Sequence, residues 1–216
     1  MVNSIIHDDC LKVMAEMEDE SINLCLSDPP YGIDLAPNRN TSKFYKTKIK
    51  NDEGLEWVPE FFKQLYRITK NVSYIFCGWS TVDVFMKGAR DAGFKHKNTI
   101  VWDKGQFGMG WNYRPQYELV LLLVKDNFKT KVHNLANIIK VQKIHHTKLN
   151  HVAEKPKDLL KIFIEQSTEE GDIVFDPFCG SSSTLIAAKE LNRKYIGIEL
   201  DKEHYENSVK RLKDVT

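Results

Sequence analysis

Two short stretches hold residue types from which chemistry could be built. The first is Asp28-Pro29-Pro30-Tyr31, which follows the apolar run Ile22 to Ser27. Proline cannot donate to a strand ladder and pushes the residue before it out of the helical region, so the turn is stiff. A carboxylate and an aromatic ring on such a turn could receive a flat, hydrogen-bonding group. The same residues could equally form a tight turn that Asp28 merely caps. The second stretch is Asp176-Pro177-Phe178-Cys179-Gly180-Ser181, continuing through Ser182 and Ser183 to Thr184. It lies between a short apolar run and a helical pattern, the place of a nucleotide or cofactor loop. Gly180 permits a tight turn and a close backbone approach, and the serines can cap the helix entered at Thr184. The loop lacks the three glycines of a dinucleotide fingerprint and the Gly-Lys-Ser/Thr ending of a P-loop. A cofactor without a diphosphate fits it better. Glu199 ends the next strand, about 20 residues on, where an acid can hold both ribose hydroxyls. An ordinary strand, turn and helix with a solvated acid is the competing reading.

The elements that must position these groups follow from periodicity. Short strands are expected at Ser4–Asp8, Ile22–Ser27, Val72–Cys77, Lys97–Trp102, Tyr117–Val124, Ile173–Phe175 and Tyr195–Ile198. Helical spacing marks Leu11–Met17, Glu56–Thr69, Thr81–Ala92, Lys155–Gln166, Ser182–Leu191 and Lys202–Leu212. Strands alternating with helices predict an α/β fold, a three-layer, doubly wound and mostly parallel sheet. In such sheets ligands bind beyond the carboxyl ends of the strands, where Asp28 and Asp176 both fall. Residues 34–50 and 127–150 show no clean period. They read as a polar, basic loop and a small insertion outside the core, with Val132–Asn134 and Ile138–Val141 as strand pieces. Asp103–Arg114 is a glycine-rich, aromatic loop in which Trp111 and Tyr113 are read either as loop or as core.

The chain of 216 residues suits one domain, residues 1–216, with a sizeable core. A composition of 42% hydrophobic and 28% charged residues, with formal net charge +1, excludes fibrous and disordered classes. No apolar run is long enough to span a bilayer and no signal segment leads the chain, so a cytoplasmic location without membrane contact is expected. The four cysteines lie far apart and read as free, buried thiols rather than metal ligands. His145, His146 and His151 have loose metal-like spacing, but a surface or phosphate-contacting role fits them better, and no metal is expected. Local charge is biased. Residues 39–50 hold Arg39, Lys43, Lys46, Lys48 and Lys50 without an acid, and 125–148 hold six lysines with only Asp126. Two such segments suggest a polyanion on one face.

Taken together and in this order, the two stretches closely resemble the amino-methyltransferases of DNA, which move a methyl group from S-adenosylmethionine to adenine N6 or cytosine N4. With the tetrapeptide first and the cofactor loop last, the chain is similar to the circularly permuted beta group of that family. Asp9-Cys10, then Val101-Trp102-Asp103-Lys104 with Arg114, Tyr117 and Glu118, and Lys155-Pro156 extend the resemblance over most of the chain. Ser181-Ser182-Ser183 stand where the group carries a second glycine, and the recognition region is short. A Rossmann-like methyltransferase fold, with an antiparallel strand near one edge, is implied.

The resemblance also implies roles. Asp28 and the Pro29 carbonyl would accept hydrogen bonds from the target amine, with Pro30 stiffening the loop and Tyr31 stacking on the extruded base. Asp176 would lie near the methionine amine and Lys155 near the methionine carboxylate. Glu199 would hold the ribose, Asp9 and Cys10 would lie by the adenine, and Phe178, Cys179, Gly180 and Ser181 would line the cofactor. Arg39, Asn40, Lys43, Lys46, Lys48, Asn112, Arg114, Lys140 and Lys143 would contact double-stranded DNA. Asp at position 28 leans towards adenine over cytosine. A non-catalytic nucleic-acid-binding protein is the remote alternative. A homodimer and a cognate restriction endonuclease are partners the family allows.

Overall fold

The computed structural model describes residues 1–30, 54–108, 112–143 and 154–215. The basic loop at 34–50, with Arg39, Asn40, Lys43, Lys46 and Lys48, lies outside them, as do Tyr31, Trp111, His145, His146 and His151. Eight strands form one sheet: β1 (Ser4–His7), β2 (Ile22–Ser27), β3 (Thr69–Cys77), β4 (Lys95–Asp103), β5 (Tyr117–Val124), β6 (Ile138–Lys140), β7 (Ile173–Asp176) and β8 (Lys194–Glu199). Their order is β1-β8-β7-β2-β3-β5-β4-β6, and β5 alone runs antiparallel to its neighbours. Six helices complete the described chain: α1 (Cys10–Glu16), α2 (Val58–Ile68), α3 (Val82–Ala92), α4 (Lys157–Ser167), α5 (Ser183–Glu190) and α6 (Lys202–Lys213).

Alternation along the strands builds two cores. Cys25, Ile75, Cys77, Leu121 and Leu123 face α1, α2 and α3, whose Val13, Phe61, Phe62, Leu65 and Phe85 pack against them. Leu24, Leu26, Tyr74, Phe76, Val120 and Leu122 face the other way, onto Leu159, Leu160 and Phe163 of α4 and Ala187 and Ala188 of α5. Helix α2 shows the mechanism. Val58, Phe61, Phe62, Leu65 and Ile68 recur every three or four residues and are all buried. Its Arg67 reaches back to the Met14 and Met17 carbonyls, each at 2.6 Å, which closes the carboxyl end of α1.

From β7 the chain winds to β8, and from β2 it winds the other way to β3. The switch point of the sheet therefore lies between β7 and β2. Register brings Asp176 beside Gly197 and His7 beside Glu199, so the parallel strands all end at one edge. Strand β5 begins at that edge, where Glu118 pairs with Trp102.

Residues 127–143 differ from the expectation of an insertion outside the core. Strand β6 adds to β4 in parallel, Trp102 Nε1 donates to the Val141 carbonyl at 2.7 Å, and Phe128, Ile139 and Val141 pack against the α4 core. Val132–Asn134 is not a strand. Lys125 and Lys131 sit near the opposite, amino edge of the sheet. Lys125 donates to the Thr69 carbonyl (2.9 Å) and lies 3.2 Å from Glu20, and Lys131 donates to the Thr168 carbonyl (2.7 Å) and lies 2.8 Å from Glu169.

Candidate active site

At the switch point the last residue of β2, next to the tetrapeptide, is bonded to the last residue of β7, where the second stretch begins. Ser27 Oγ donates to Asp176 Oδ1 at 2.7 Å, across 149 positions of sequence. Both residues are buried. Asp176 also accepts the Phe178 N–H at 3.2 Å and a hydrogen bond from Thr184. Burial nevertheless outweighs these donors and pushes its carboxyl up to about 6. A buried carboxylate so placed would be favoured by an approaching cation such as an ammonium.

The loop after β7 is held by backbone. Cys179 N–H donates to the Ile198 carbonyl at 3.0 Å, and Gly180 takes a φ of 45°, in the left-handed region. Its N–H donates to Glu199 Oε2 at 2.9 Å, and the Asp201 N–H donates to Oε1 at 2.8 Å. A carboxylate offers about four acceptor positions, so Glu199 keeps capacity for a diol. Ser208 of α6 bonds to the Gly180 carbonyl and Arg211 to that of Ser181, while Arg211 pairs with Glu154 at 2.6 Å. The expected serine cap is absent. Ser182 is the N-cap of α5, but its φ of 63° puts it in the left-handed region and its side chain bonds none of the first-turn N–H groups.

Asp9 caps α1 by accepting from Leu11 (2.9 Å) and Lys12 (3.3 Å), just beyond the end of β1 and so beside Glu199. Cys10 and Phe178 pack against the same core cluster. The Phe178 ring lies 5.4 Å from Trp57 and 5.5 Å from Phe61, centroid to centroid. The thiol of Cys10 is pushed up to about 12 by burial, then by Asp9, and so stays neutral. All four cysteines are free, with Cys25, Cys77 and Cys179 buried and Cys10 half-buried.

Asp28 follows β2 and makes an ion pair. Its Oδ2 is paired with Nζ of buried Lys155. Lys155 also lies 3.2 Å from Glu118 Oε2, and Lys104 lies 3.3 Å from Glu118 Oε1. Burial disfavours the Lys155 charge, but Asp28 and Glu118 outweigh it and hold the ammonium above its usual range. Sequence reasoning had Lys104 and Glu118 only as parts of a familiar segment. The available signal was charge at each end of the Tyr117–Val124 run and its neighbour. Ser27, Glu154 and Arg211 were missed, because a serine inside an apolar strand and a pair 57 apart leave no local pattern.

Of the residues expected to contact DNA, Asn112, Arg114, Lys140 and Lys143 are among those described. Asn112 has a φ of 60° and Tyr113 is fully exposed. Arg114 Nε bonds the Gly108 carbonyl at 2.7 Å, with its guanidinium 5.8 Å from the Phe107 ring centre. Lys140 pairs with Asp103 in the β6–β4 register, and Lys143 follows it, exposed. Among the described residues, no group of three or more acids, histidines or cysteines could hold a metal ion, and no helix is long and apolar enough to cross a membrane.

The family profile described as DNA methylase matches residues 22–210, which includes both stretches and every strand from β2 to β8. The chain belongs to the DNA methylase family. As a member it is a DNA methyltransferase that uses S-adenosylmethionine. Among similar proteins is the type II methyltransferase M.HindIII of Haemophilus influenzae, 27% identical, with 98% of this chain and 96% of that protein covered. The DNA adenine methyltransferase YhdJ of Escherichia coli K12 is 28% identical, with 97% and 82% covered. The fold of M1.HpyAVI in complex with SAM superposes with a TM-score of 0.69 at 23% identity, covering 96% of this chain and 98% of that one. The cytosine-N4-specific PvuII DNA methyltransferase gives 0.75 at 18% identity, with 98% and 90% covered. This DNA methylase thus has the Rossmann-like sheet of its family, and its donor set suits the cofactor: a buried carboxylate for an ammonium, Glu199 for a diol, and an apolar wall at Cys10 and Phe178 for a flat ring.

Proposed function

We propose that this DNA methylase modifies the N6 amine of an adenine extruded from duplex DNA at a short, specific site. The observation that carries the reading is the position of Asp28. It stands at the switch point, beyond the end of β2, one residue from the Ser27 hydroxyl that binds Asp176. This nearness supports a reading in which acceptor and cofactor loop serve one site. An exocyclic amine is a poor nucleophile because its lone pair is delocalised into the ring. Asp28 and the Pro29 carbonyl accept its N–H groups, which returns electron density to nitrogen and aligns it. S-adenosylmethionine supplies the methyl group on a sulfonium, so no strong base is needed. Tyr31 stacks on the base, offsetting part of an extrusion cost of a few kcal/mol.

Aspartate at position 28 and the likeness to a DNA adenine methyltransferase support adenine over cytosine. The fold shared with a cytosine-N4-specific enzyme supports the second reading, N4 of cytosine. Asp9, Cys10, Asp176, Phe178, Cys179, Gly180, Ser181 and Glu199 line the cofactor in this proposal, whereas Lys155, expected near the methionine carboxylate, is paired with Asp28 and Glu118. Arg39, Asn40, Lys43, Lys46, Lys48, Asn112, Arg114, Lys140 and Lys143 meet DNA. The short segment between β5 and α4 limits what one subunit reads, which supports a homodimer. Likeness to a type II methyltransferase supports a cognate endonuclease, and DNA as substrate supports a cytoplasmic location.

The test is labelled S-adenosylmethionine with duplex DNA, followed by sequencing that maps the modified base. Asp28→Ala should abolish transfer while cofactor affinity, measured by calorimetry, stays within about threefold. Transfer that persists in this variant removes Asp28 from the chemistry, and label on cytosine N4 selects the second reading.

A further inference from the structure

Four charged side chains run in a line beneath the Asp28 loop. Asp28, Lys155, Glu118 and Lys104 alternate in sign, with separations of 3.2 Å between Lys155 and Glu118 and 3.3 Å between Glu118 and Lys104. Lys155 is the most enclosed, with its Nζ 5.1 Å from the centre of the Phe76 ring. Besides β2, which leads into Asp28, three separate elements build the line. Pro156, the N-cap of α4, is itself extended (φ −61°, ψ 129°), and Lys155 lies ahead of it, outside the helix. Glu118 reaches the edge because β5 alone starts there, and Lys104 directly follows β4. Burying such a set is costly, and a well-packed apolar cluster would serve stability as well or better. Its retention beside the amine acceptor calls for another reason.

We propose that Lys155 is a positioning residue for Asp28: its ammonium, anchored by Glu118 and Lys104, holds the Asp28 carboxylate ionised and aimed so that it can accept the target amine's N–H. This rests on the methyl-transfer reading above. Among the described residues, the titratable groups that face Asp28 besides Lys155 are acidic. Glu118 from β5 and Asp176 from β7 are both acids, and the Cys77 thiol of β3 is pushed up to about 12 by burial, then by Asp28 and Glu118. Without Lys155, Asp28 and Glu118 would lie together, partly buried, with their bridging cation removed, and the proton-bound form of one of them would be favoured. A protonated Asp28 donates where it must accept. A neutral donor in place of Lys155 would orient the carboxylate but would not oppose that proton. The same cation makes Asp28 a poor proton sink, so the proton released after transfer passes to water.

The test reads Asp28 itself. In protein carrying carbon-13 at aspartate Cγ, with the Asp28 signal identified by its loss in Asp28→Asn, Lys155→Met should raise the Asp28 midpoint by about 1–3 pH units relative to the unsubstituted protein. Lys155→Arg should keep the midpoint within about half a unit. Lys155→Met with Glu118→Gln, which removes one charge of each sign, should return most of the displacement. It also carries the comparison if the single variant does not fold. In single-turnover methyl transfer the acid limb should move by the same amount in Lys155→Met, with KM for DNA changed far less than kcat at low pH. An Asp28 midpoint unmoved in Lys155→Met, or a rate lowered equally at every pH, overturns the proposal. If the unsubstituted protein labels no DNA, the reaction reading fails, while the carbon-13 titration still decides the role of Lys155.

Discussion

Replacing Asp176 by asparagine should strengthen the fold and weaken the site at once. The carboxyl rises from its ordinary 3.8 to about 6 because burial outweighs the hydrogen bonds from Ser27, Thr184 and the Phe178 N–H. An acid whose folded pKa is raised makes folding less favourable wherever it must ionise. Between pH 3.8 and about 6 the folded protein binds a proton that the unfolded chain releases, so stability falls as pH rises through that window. Above pH 6 the cost is complete, on the order of 3 kcal/mol at 1.36 kcal/mol per unit. Asparagine keeps an acceptor oxygen for Ser27 and carries no charge. At pH 7.5 Asp176→Asn should therefore raise Tm, by at most roughly 6–12 °C at about 2–4 °C per kcal/mol for a chain of this size. The gain should shrink to nearly nothing by pH 4. Calorimetric titration with S-adenosylmethionine should show the opposite sign, a loss of at least about tenfold at pH 7.5, because the carboxylate that opposed folding is the one an ammonium binds. A Tm gain independent of pH, or a variant that binds cofactor as tightly as before, refutes the reasoning.

Glu199→Ala should weaken S-adenosylmethionine binding by about tenfold or more in the same titration and should leave the Gly180 and Asp201 N–H groups without their acceptor; unchanged affinity removes Glu199 from the ribose site. Gly197→Ala should destabilise by about 1–3 kcal/mol in urea unfolding, since its new methyl would lie 2.4 Å from Leu185 Cδ1 and 3.0 Å from the Cys179 sulfur. Unchanged stability there would mean that the cofactor loop gives way freely.

The fold was legible because its signals are local. Tyr117–Val124 is an unbroken apolar run and appears with those bounds as β5, and the alternation of strands and helices led to the parallel sheet. Helix starts were less legible. Lys155 reads as the first residue of α4, yet Pro156 is the N-cap and Lys155 turns away to serve Asp28. Lys125 and Lys131 read as part of one basic segment, and the antiparallel sense of β5 carries that part of the chain to the far edge, where carbonyls and the acids Glu20 and Glu169 meet them. Direction of a strand cannot be read from its own residues. The acids at the strand ends, Asp28, Asp176 and Glu199, were visible one by one. Their joining through Ser27 and Gly180 was not, since each contact depends on register between distant strands.

Strand β1 has a consequence for how this chain comes to be folded. Its partner among the described residues is β8, with Ser4 facing Ile196 and His7 facing Glu199. During synthesis β1 is made long before that partner exists, and β2 likewise waits for β7 while it pairs with β3. The half of the sheet from β2 to β4 can close early. The half that completes the cleft forms only when the last two strands arrive. Pairings this distant in sequence slow folding and leave strand edges open meanwhile. The candidate site is thus among the last parts of the molecule to form, and a chain stopped short of β7 would hold Asp28 on a formed strand with no loop 176–183 to meet it.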